Sequence, residues 1–199
     1  MLTFTNLNTP MVQNYDVEPI LTTLENGGLL LYPTDTIWAI GCDATNEEAI
    51  NRVFALKHWD HSEPFVLLVS SIEMLKDYVE RIHPRVETLL VFHERPLTII
   101  YDRAKQLPKN ALAKDGSVAL RVTKDEFCRS LIENFGKPLV ATAACIAGVP
   151  FPGHFGEISS AVIEGIDLVV KHRQLDKNMR ERSVVARLYR NQEFVFIRE

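Results

Sequence analysis

The chain has 199 residues, of which 46% are hydrophobic, and a formal net charge of −4 at pH 7. This length and composition predict one globular domain with a substantial core. The acidic balance gives no support to non-specific nucleic-acid binding through overall charge, although a local basic cleft stays open. The three cysteines, Cys42, Cys128 and Cys145, have no Cys-x-x-Cys spacing. We therefore expect no disulfide and no metal ligands, but reduced intracellular thiols.

The first residues resemble neither a leader nor a membrane segment. Residues 1–14 lack the charged region followed by an apolar region that a signal peptide has. No apolar stretch approaches the length needed to span a membrane. We therefore expect an N-terminal extension over 1–14, a single domain over 15–199, a cytoplasmic location and no membrane partner.

The predicted domain opens with a helix and a buried strand. A helix over 16–25 is ended by a Gly-Gly pair. The apolar run 29–32, which stops before Pro33, predicts a buried strand. Three small polar residues follow this strand, at the place where open α/β sheets bind ligands: Thr34, Asp35 and Thr36. An ordinary polar turn is the alternative interpretation.

The rest of the chain continues to alternate between helix-like and strand-like segments, which predicts an α/β fold. A capping box at Thr45 opens a helix that ends at Lys57. The Gly- and Pro-rich loop 147–156 is predicted to be a lid or a cleft wall. Further helices are predicted at 72–79, 84–92, 124–135 and 157–165. Further strands are predicted at 65–69, 96–101, 118–122, 139–144 and 168–171, with a closing hairpin of 183–189 and 193–197 around 190–192.

Polar side chains that could bind an anion recur at the ends of these elements or within the short strands. They are Thr34, Thr36, Lys57, Thr98, Arg121, Thr142 and Ser183. A lysine and an arginine that converge on hydroxyls suit a phosphate or a carboxylate. Each residue also has an ordinary explanation, because a lysine complements a helix dipole, an arginine extends to solvent, and threonine favours strands.

The order and the amino-acid sequences of these segments resemble those of the YrdC/TsaC family, the threonylcarbamoyl-adenylate synthases. Residues 32–41, YPTDTIWAIG, resemble that family's Tyr-Pro-Thr-(Asp/Glu)-Thr-x-(Tyr/Trp)-Gly-Leu-Gly. The resemblance runs from about residue 21 to residue 197. Its other motifs correspond, in order, to segments 57–59, 96–98, 120–122, 141–148 and 182–185.

The resemblance implies a fold and a reaction. The fold is a single-domain, twisted, open mixed sheet with flanking helices and a large concave cleft. The substrates are ATP with Mg2+, L-threonine and bicarbonate, and the products are threonylcarbamoyl-AMP and pyrophosphate, which serve threonylcarbamoyladenosine modification of tRNA. Some relatives are described as binders of double-stranded RNA, so RNA and tRNA-modification proteins are candidate partners.

The resemblance also implies a role for each polar residue. Lys57 is the candidate catalytic residue and contacts a phosphate or the substrate carboxylate. The expected substrate-binding residues are Thr34, Thr36, Thr98 and Arg121. The expected nucleotide-binding residues are Lys57, Thr142 and Ser183.

Several positions depart from the family pattern, among them Ala39, Ala147 and the segment 63–65, and three of the four signature residues are replaced. The arginine of Lys-x-Arg is Trp59, and the Ser-x-Asn pair is Ala143 and Cys145. A tryptophan supplies no cation, and a thiol is a poor substitute for an amide. The loss of one charge-assisted contact costs roughly 1.5–3 kcal/mol.

These departures leave two functions open. One is slow synthesis of threonylcarbamoyl-AMP, and the other is a non-catalytic paralogue that binds a nucleotide, a small molecule or double-stranded RNA in the same cleft. We expect Trp59 to pack in the cleft wall rather than stack on a base. We expect Cys145 to be a buried, inert thiol.

Overall fold

The computed structural model describes residues 16–59, 65–177, 181–189 and 193–199. The predicted extension over 1–14 and the predicted hairpin turn over 190–192 lie outside the described residues. The helices are α1 Glu18–Glu25, α2 Glu47–Lys57, α3 Ile72–Tyr78, α4 Pro84–Phe92, α5 Glu126–Phe135 and α6 Ser160–Glu164. The strands are β1 Leu30–Tyr32, β2 Ala39–Gly41, β3 Val66–Val69, β4 Leu97–Tyr101, β5 Val118–Val122, β6 Leu139–Ala143, β7 Leu168–Val169, β8 Val184–Leu188 and β9 Phe194–Arg198.

Within the described residues the strands form one nine-stranded sheet in the order β7-β1-β2-β6-β3-β5-β4-β8-β9. Strand β1 is parallel to β7, β3 to β5 and β4 to β8, and the other neighbours are antiparallel. The predicted mixed sheet and the closing β8–β9 hairpin are thus confirmed. Strand β6 lies between β2 and β3 although it comes later in the chain, and it therefore carries the loop after it to the end of α2.

The apolar run at β1 is buried on both faces of the sheet. Leu29 and Leu31 belong to a core cluster that includes residues of α2, α3 and α4, whereas Leu30 and Tyr32 belong to a cluster with α1 and α5. Successive side chains of a strand point to opposite faces, so helices on both sides require a continuous apolar run. This three-layer packing explains why the strand has no polar alternation.

Four helices, α1, α2, α5 and α6, begin later than the sequence predicts, and for α2 and α6 the local contacts show why. The side chain of Asn46, rather than that of Thr45, caps α2 by accepting the backbone N–H three residues later. Thr45 instead donates its hydroxyl to Asp43 at 2.7 Å. Helix α6 begins at Ser160 rather than at 157, because a 3₁₀ turn precedes it. In the described part of the chain, none of the helices has the length and apolar character that crossing a membrane requires.

Gly41, the last residue of the YPTDTIWAIG segment, allows a close approach of two neighbouring groups. A Cβ at this position would lie 2.4 Å from a ring carbon of Tyr32 and 2.4 Å from the carbonyl oxygen of Val140. The Tyr32 hydroxyl donates to that same carbonyl at 2.8 Å. The buried tyrosine therefore requires a residue without a side chain at the end of β2.

Replacing a buried leucine tests this core. Leu68 of β3 is 0% exposed, and we expect Leu68→Ala to lower the free energy of unfolding by about 2–5 kcal/mol, because it removes buried apolar surface and leaves a cavity. The matched control is Leu175→Ala, since Leu175 is 93% exposed and its truncation is expected to cost under about 0.5 kcal/mol. Urea unfolding measures both, and equal costs would contradict the described packing.

Candidate functional site

An open cavity of about 270 Å³ lies on the face of the sheet that α1 and α5 cover elsewhere. Ala39 pairs with Ala143, and Val66 pairs with Ala141. Directly paired residues project from the same face of a sheet, and all four line the cavity. The short alanine side chains on β2 and β6 leave the floor of the cavity open.

The walls of the cavity come from segments that are distant in the sequence. They are the turn after β1, the end of α2, the loop after β6, the residues before β8, and the end of β9. Six of the predicted site residues line this one cavity: Thr34, Thr36, Lys57, Arg121, Thr142 and Ser183. The predicted concave cleft thus gathers residues from five separate parts of the chain.

Thr98 is the predicted site residue that does not line the cavity. It is 0% exposed, and its hydroxyl lies 2.8 Å from the hydroxyl of Ser183. It is also paired with Arg121 across β4 and β5. Thr98 therefore lies behind two lining residues, where it can position Ser183 rather than touch a ligand.

The turn after β1 orients its two threonines through local hydrogen bonds. The Thr34 hydroxyl donates to the carbonyl of Ile37 at 2.8 Å and accepts the backbone N–H of Thr36 at 3.1 Å. The two threonine hydroxyls are 3.0 Å apart. Such bonds between a short side chain and its own backbone fix a turn without secondary structure, so both hydroxyls have set positions at the cavity wall.

Lys57 joins the end of α2 to the end of β6. Its ammonium group donates to the carbonyl of Ala143 at 2.6 Å and to that of Cys145 at 2.5 Å, and the N–H of Ala147 donates back to the Lys57 carbonyl at 2.8 Å. Burial lowers the pKa of Lys57, while its interaction with Cys145 acts in the opposite direction. Two of the three ammonium protons are therefore occupied by backbone, and one is left to face a ligand.

Arg121 is a buried cation whose counter-ion is Asp35. The guanidinium Nη2 lies 2.9 Å from a carboxylate oxygen, and the side chains are 4% and 9% exposed respectively. Among the described residues, Nε of Arg121 has no hydrogen-bond partner. Arg121 thus keeps donor capacity beside the cavity, and Asp35 balances its charge without lining the cavity.

Sequence reasoning missed three charged residues of this site, namely Asp35 as a counter-ion, Arg182 and Arg198. The Arg198 side chain donates to the Ser183 carbonyl at 2.8 Å and to its hydroxyl at 3.0 Å. Arg182 directly precedes Ser183 within the segment 182–185 that resembles a family motif, so the sequence could have indicated it as a site residue. For Arg198 no local signal exists, because only the pairing of β9 with β8 brings it to the cavity.

The lining of the cavity is strongly cationic. Among the described lining residues there are four cationic side chains and no carboxylate, the cations being Lys57, Arg121, Arg182 and Arg198. Charges of one sign in a cleft with low-dielectric walls raise the local potential and attract a ligand of opposite sign. The arrangement favours a ligand with several negative charges.

The replaced positions 59, 143 and 145 all line this cavity. Trp59 also packs against the hydrophobic core, as predicted, and its ring centroid lies 5.8 Å from the Lys57 ammonium. The prediction of a buried Cys145 is wrong: the residue is only half-buried, because it follows the end of β6 where the cavity opens.

A family model and curated proteins of similar sequence agree on one family. The Sua5/YciO/YrdC family model, described as "Telomere recombination", matches residues 22–199. A threonylcarbamoyl-AMP synthase of Xanthomonas euvesicatoria pv. vesicatoria (strain 85-10) is 28% identical over 163 residues, covering 80% of this chain and 87% of that protein. A synthase of the same name from Enterobacter sp. (strain 638) is 28% identical over 166 residues, covering 80% and 87%.

Solved structures share the fold. P. abyssi Sua5 complexed with L-threonine matches with a TM-score of 0.80 and 24% identity over 92% of this chain, which spans about half of that longer chain (53%). E. coli YciO matches with a TM-score of 0.79 and 21% identity, covering 92% of this chain and 88% of that one. At these identities the two structures establish the mixed α/β fold alone.

Cysteine alkylation tests the exposure of Cys145. Burial raises the pKa of the Cys42 and Cys128 thiols, which are enclosed in the core. We therefore expect iodoacetamide to modify Cys145 at least about tenfold faster than either, since the thiolate is the reactive form. Peptide mass spectrometry on the native protein measures the three rates, and equal protection of all three would contradict the half-buried position.

Removal of the Asp35 charge tests the buried ion pair. Asp35→Asn leaves the Arg121 charge buried without its counter-ion, and we expect a loss of about 3–5 kcal/mol in the free energy of unfolding. The control is Glu181→Gln, which breaks the exposed pair with Arg95 (2.8 Å) and is expected to cost under about 1 kcal/mol. Denaturant unfolding at low salt compares them; similar small losses would show that Arg121 is not desolvated.

Proposed function

This chain belongs to the Sua5/YciO/YrdC family, and on that premise we propose that it condenses ATP, L-threonine and bicarbonate into threonylcarbamoyl-AMP and pyrophosphate. The curated relatives that match most of its length carry the name threonylcarbamoyl-AMP synthase. One observation carries the proposal for this chain itself, namely the cavity lined by four cations and several hydroxyls, with no carboxylate among its described lining residues.

The charge of the cavity matches the charge of the proposed substrates. ATP brings a triphosphate, threonine a carboxylate, and the reaction a carbamate. Guanidinium groups bind phosphates and carboxylates through paired N–H donors, and an ammonium group acts as a compact cation. Arg121, Arg198 and Lys57 would bind these anionic groups.

The proposed reaction needs no nucleophile from the protein. The threonine amine takes up bicarbonate with loss of water to form a carbamate. A carbamate oxygen then attacks the α-phosphorus of ATP, and the bond from that phosphorus to the pyrophosphate oxygen breaks. Such a displacement depends on in-line positioning and on compensation of charge at the phosphorus and the leaving group.

The predicted site residues have the following proposed parts in this positioning. Thr34 and Thr36 hold the threonine through their oriented hydroxyls, and Lys57 contacts a phosphate or the carboxylate through its third N–H. Thr142 and Ser183 contact the nucleotide, with Thr98 fixing the Ser183 hydroxyl from behind. Mg2+ is proposed to enter with the ATP phosphates, as part of the substrate.

Two further expectations stay predictions. Binding of double-stranded RNA or of tRNA-modification proteins depends on surfaces beyond this cavity, and a cytoplasmic location rests on the proposed role in tRNA modification. Neither is needed for the adenylate-forming step.

A pyrophosphate-release assay tests the proposed synthesis. With ATP, Mg2+ and bicarbonate present, we expect release that depends on added L-threonine. Lys57→Met is expected to lower the rate at least about tenfold by removing one charge-assisted contact. The matched control is Lys114→Met, since Lys114 is exposed and lies outside the cavity. Thermal unfolding of both variants separates lost chemistry from lost structure.

The positions that depart from the family signature provide a second test of the proposed synthesis. Trp59→Arg, Ala143→Ser and Cys145→Asn, introduced together, are expected to raise the rate roughly a hundredfold if two recovered contacts are fully expressed in the transition state. Absence of threonine-dependent release from the wild type and from this variant would refute the synthase proposal. Nucleotide or RNA binding without turnover would then support the non-catalytic paralogue.

A further inference from the structure

Arg182 and Phe151 meet at the cavity from opposite segments of the chain. The guanidinium carbon of Arg182 lies 5.7 Å from the centroid of the Phe151 ring. Phe151 belongs to the Gly- and Pro-rich loop after β6, and Arg182 to the residues before β8. Both line the cavity, and both side chains also reach the surface, Phe151 being 41% exposed.

The charge of Arg182 is compensated differently from that of the other three cations. The Lys57 ammonium is held by two carbonyls, Arg121 pairs with Asp35, and Arg198 donates to Ser183. In the described ranges, the contact found for Arg182 is an aromatic face, and no carboxylate pairs with it. A ring holds a guanidinium in place without neutralising its charge.

The neighbouring carboxylate is already in use. Glu181, which precedes Arg182, forms an ion pair with Arg95 at 2.8 Å. Trp59, on the cavity lining beside Lys57, offers no positive charge. The guanidinium of Arg182 is therefore the lining cation with the most donor capacity left for an incoming anion.

We propose that Arg182, held by Phe151, is a further phosphate-binding residue of this site that positions the phosphate chain of the nucleotide. The assignment rests on the proposed function for the identity of the anion. The fork of the guanidinium suits bidentate contact with phosphate oxygens. Phe151 is the positioning residue, because it restricts where the long Arg182 side chain can place that fork.

Calorimetric titration with Mg-ATP, pyrophosphate and adenosine tests the assignment. We expect Arg182→Gln to weaken binding of Mg-ATP and of pyrophosphate roughly ten- to a hundredfold, through loss of a charge-assisted contact. Adenosine carries no phosphate, and its affinity is expected to be unchanged. Arg182→Lys keeps the positive charge but loses the paired N–H donors of the guanidinium. Its affinities are expected to lie between those of the wild type and those of Arg182→Gln. The control is Arg103→Gln, an exposed arginine outside the cavity, which is expected to bind as the wild type does.

Phe151 variants test the positioning part. Phe151→Leu keeps the bulk and removes the aromatic face, and we expect phosphate binding about two- to fivefold weaker. Phe151→Tyr keeps the ring and is expected to restore the affinity. If Phe151 had only a structural role, its variants would also change the melting temperature and the affinity for adenosine. Because Phe151 is exposed, we expect both quantities to stay unaltered.

The outcomes separate this assignment from the proposed synthesis. If Arg182→Gln binds pyrophosphate and Mg-ATP as the wild type does, or if the wild type binds neither, the assignment is overturned. If the wild type binds both through Arg182 but releases no pyrophosphate in the presence of threonine, the synthesis fails and the phosphate site stands.

Discussion

The Lys57 ammonium group, held between two backbone carbonyls, is the interaction on which the cavity depends. Its hydrogen bonds to Ala143 and Cys145 tie the end of α2 to the segment where β6 ends. Strand β6 supplies the cavity floor together with β2 and β3, and the loop after it supplies Phe151. Without this tie, the Cys145 carbonyl would lose its ammonium donor, and the Ala143 carbonyl would keep only the N–H of Cys145 at 2.8 Å. One buried cation therefore fixes both the floor and one wall.

A cationic cavity also requires its counter-charges to lie elsewhere. Asp35 meets this requirement because it pairs with Arg121 without lining the cavity, and none of the described lining residues is a carboxylate. A buried arginine without a partner would be too costly to retain, and a carboxylate in the lining would repel the phosphates. The position of Asp35 between Thr34 and Thr36 thus explains why an acidic residue belongs in a segment that lines a cationic cavity.

Local patterns predicted the elements well but could not predict all of the site. The apolar runs at β1 and β6 identify buried strands because both faces of the sheet are covered. Thr34, Lys57 and Ser183 could be named because they lie in short recognisable segments. Arg198 could not, since it reaches Ser183 only through the pairing of β9 with β8. Cys145 was misjudged because its exposure depends on how the loop after β6 leaves the sheet, which is a tertiary property.

The replacements at 143 and 145 act on the ligand rather than on the fold. Lys57 is held by the backbone carbonyls of these residues, so a change of their side chains leaves its position intact. What disappears is a hydroxyl and an amide facing the cavity, and a site that loses such donors discriminates less among ligands that differ in polar groups. The four cations that attract an anion are unaffected. If the proposed synthesis holds, we therefore expect the side chains at 143 and 145 to affect turnover more than anion binding.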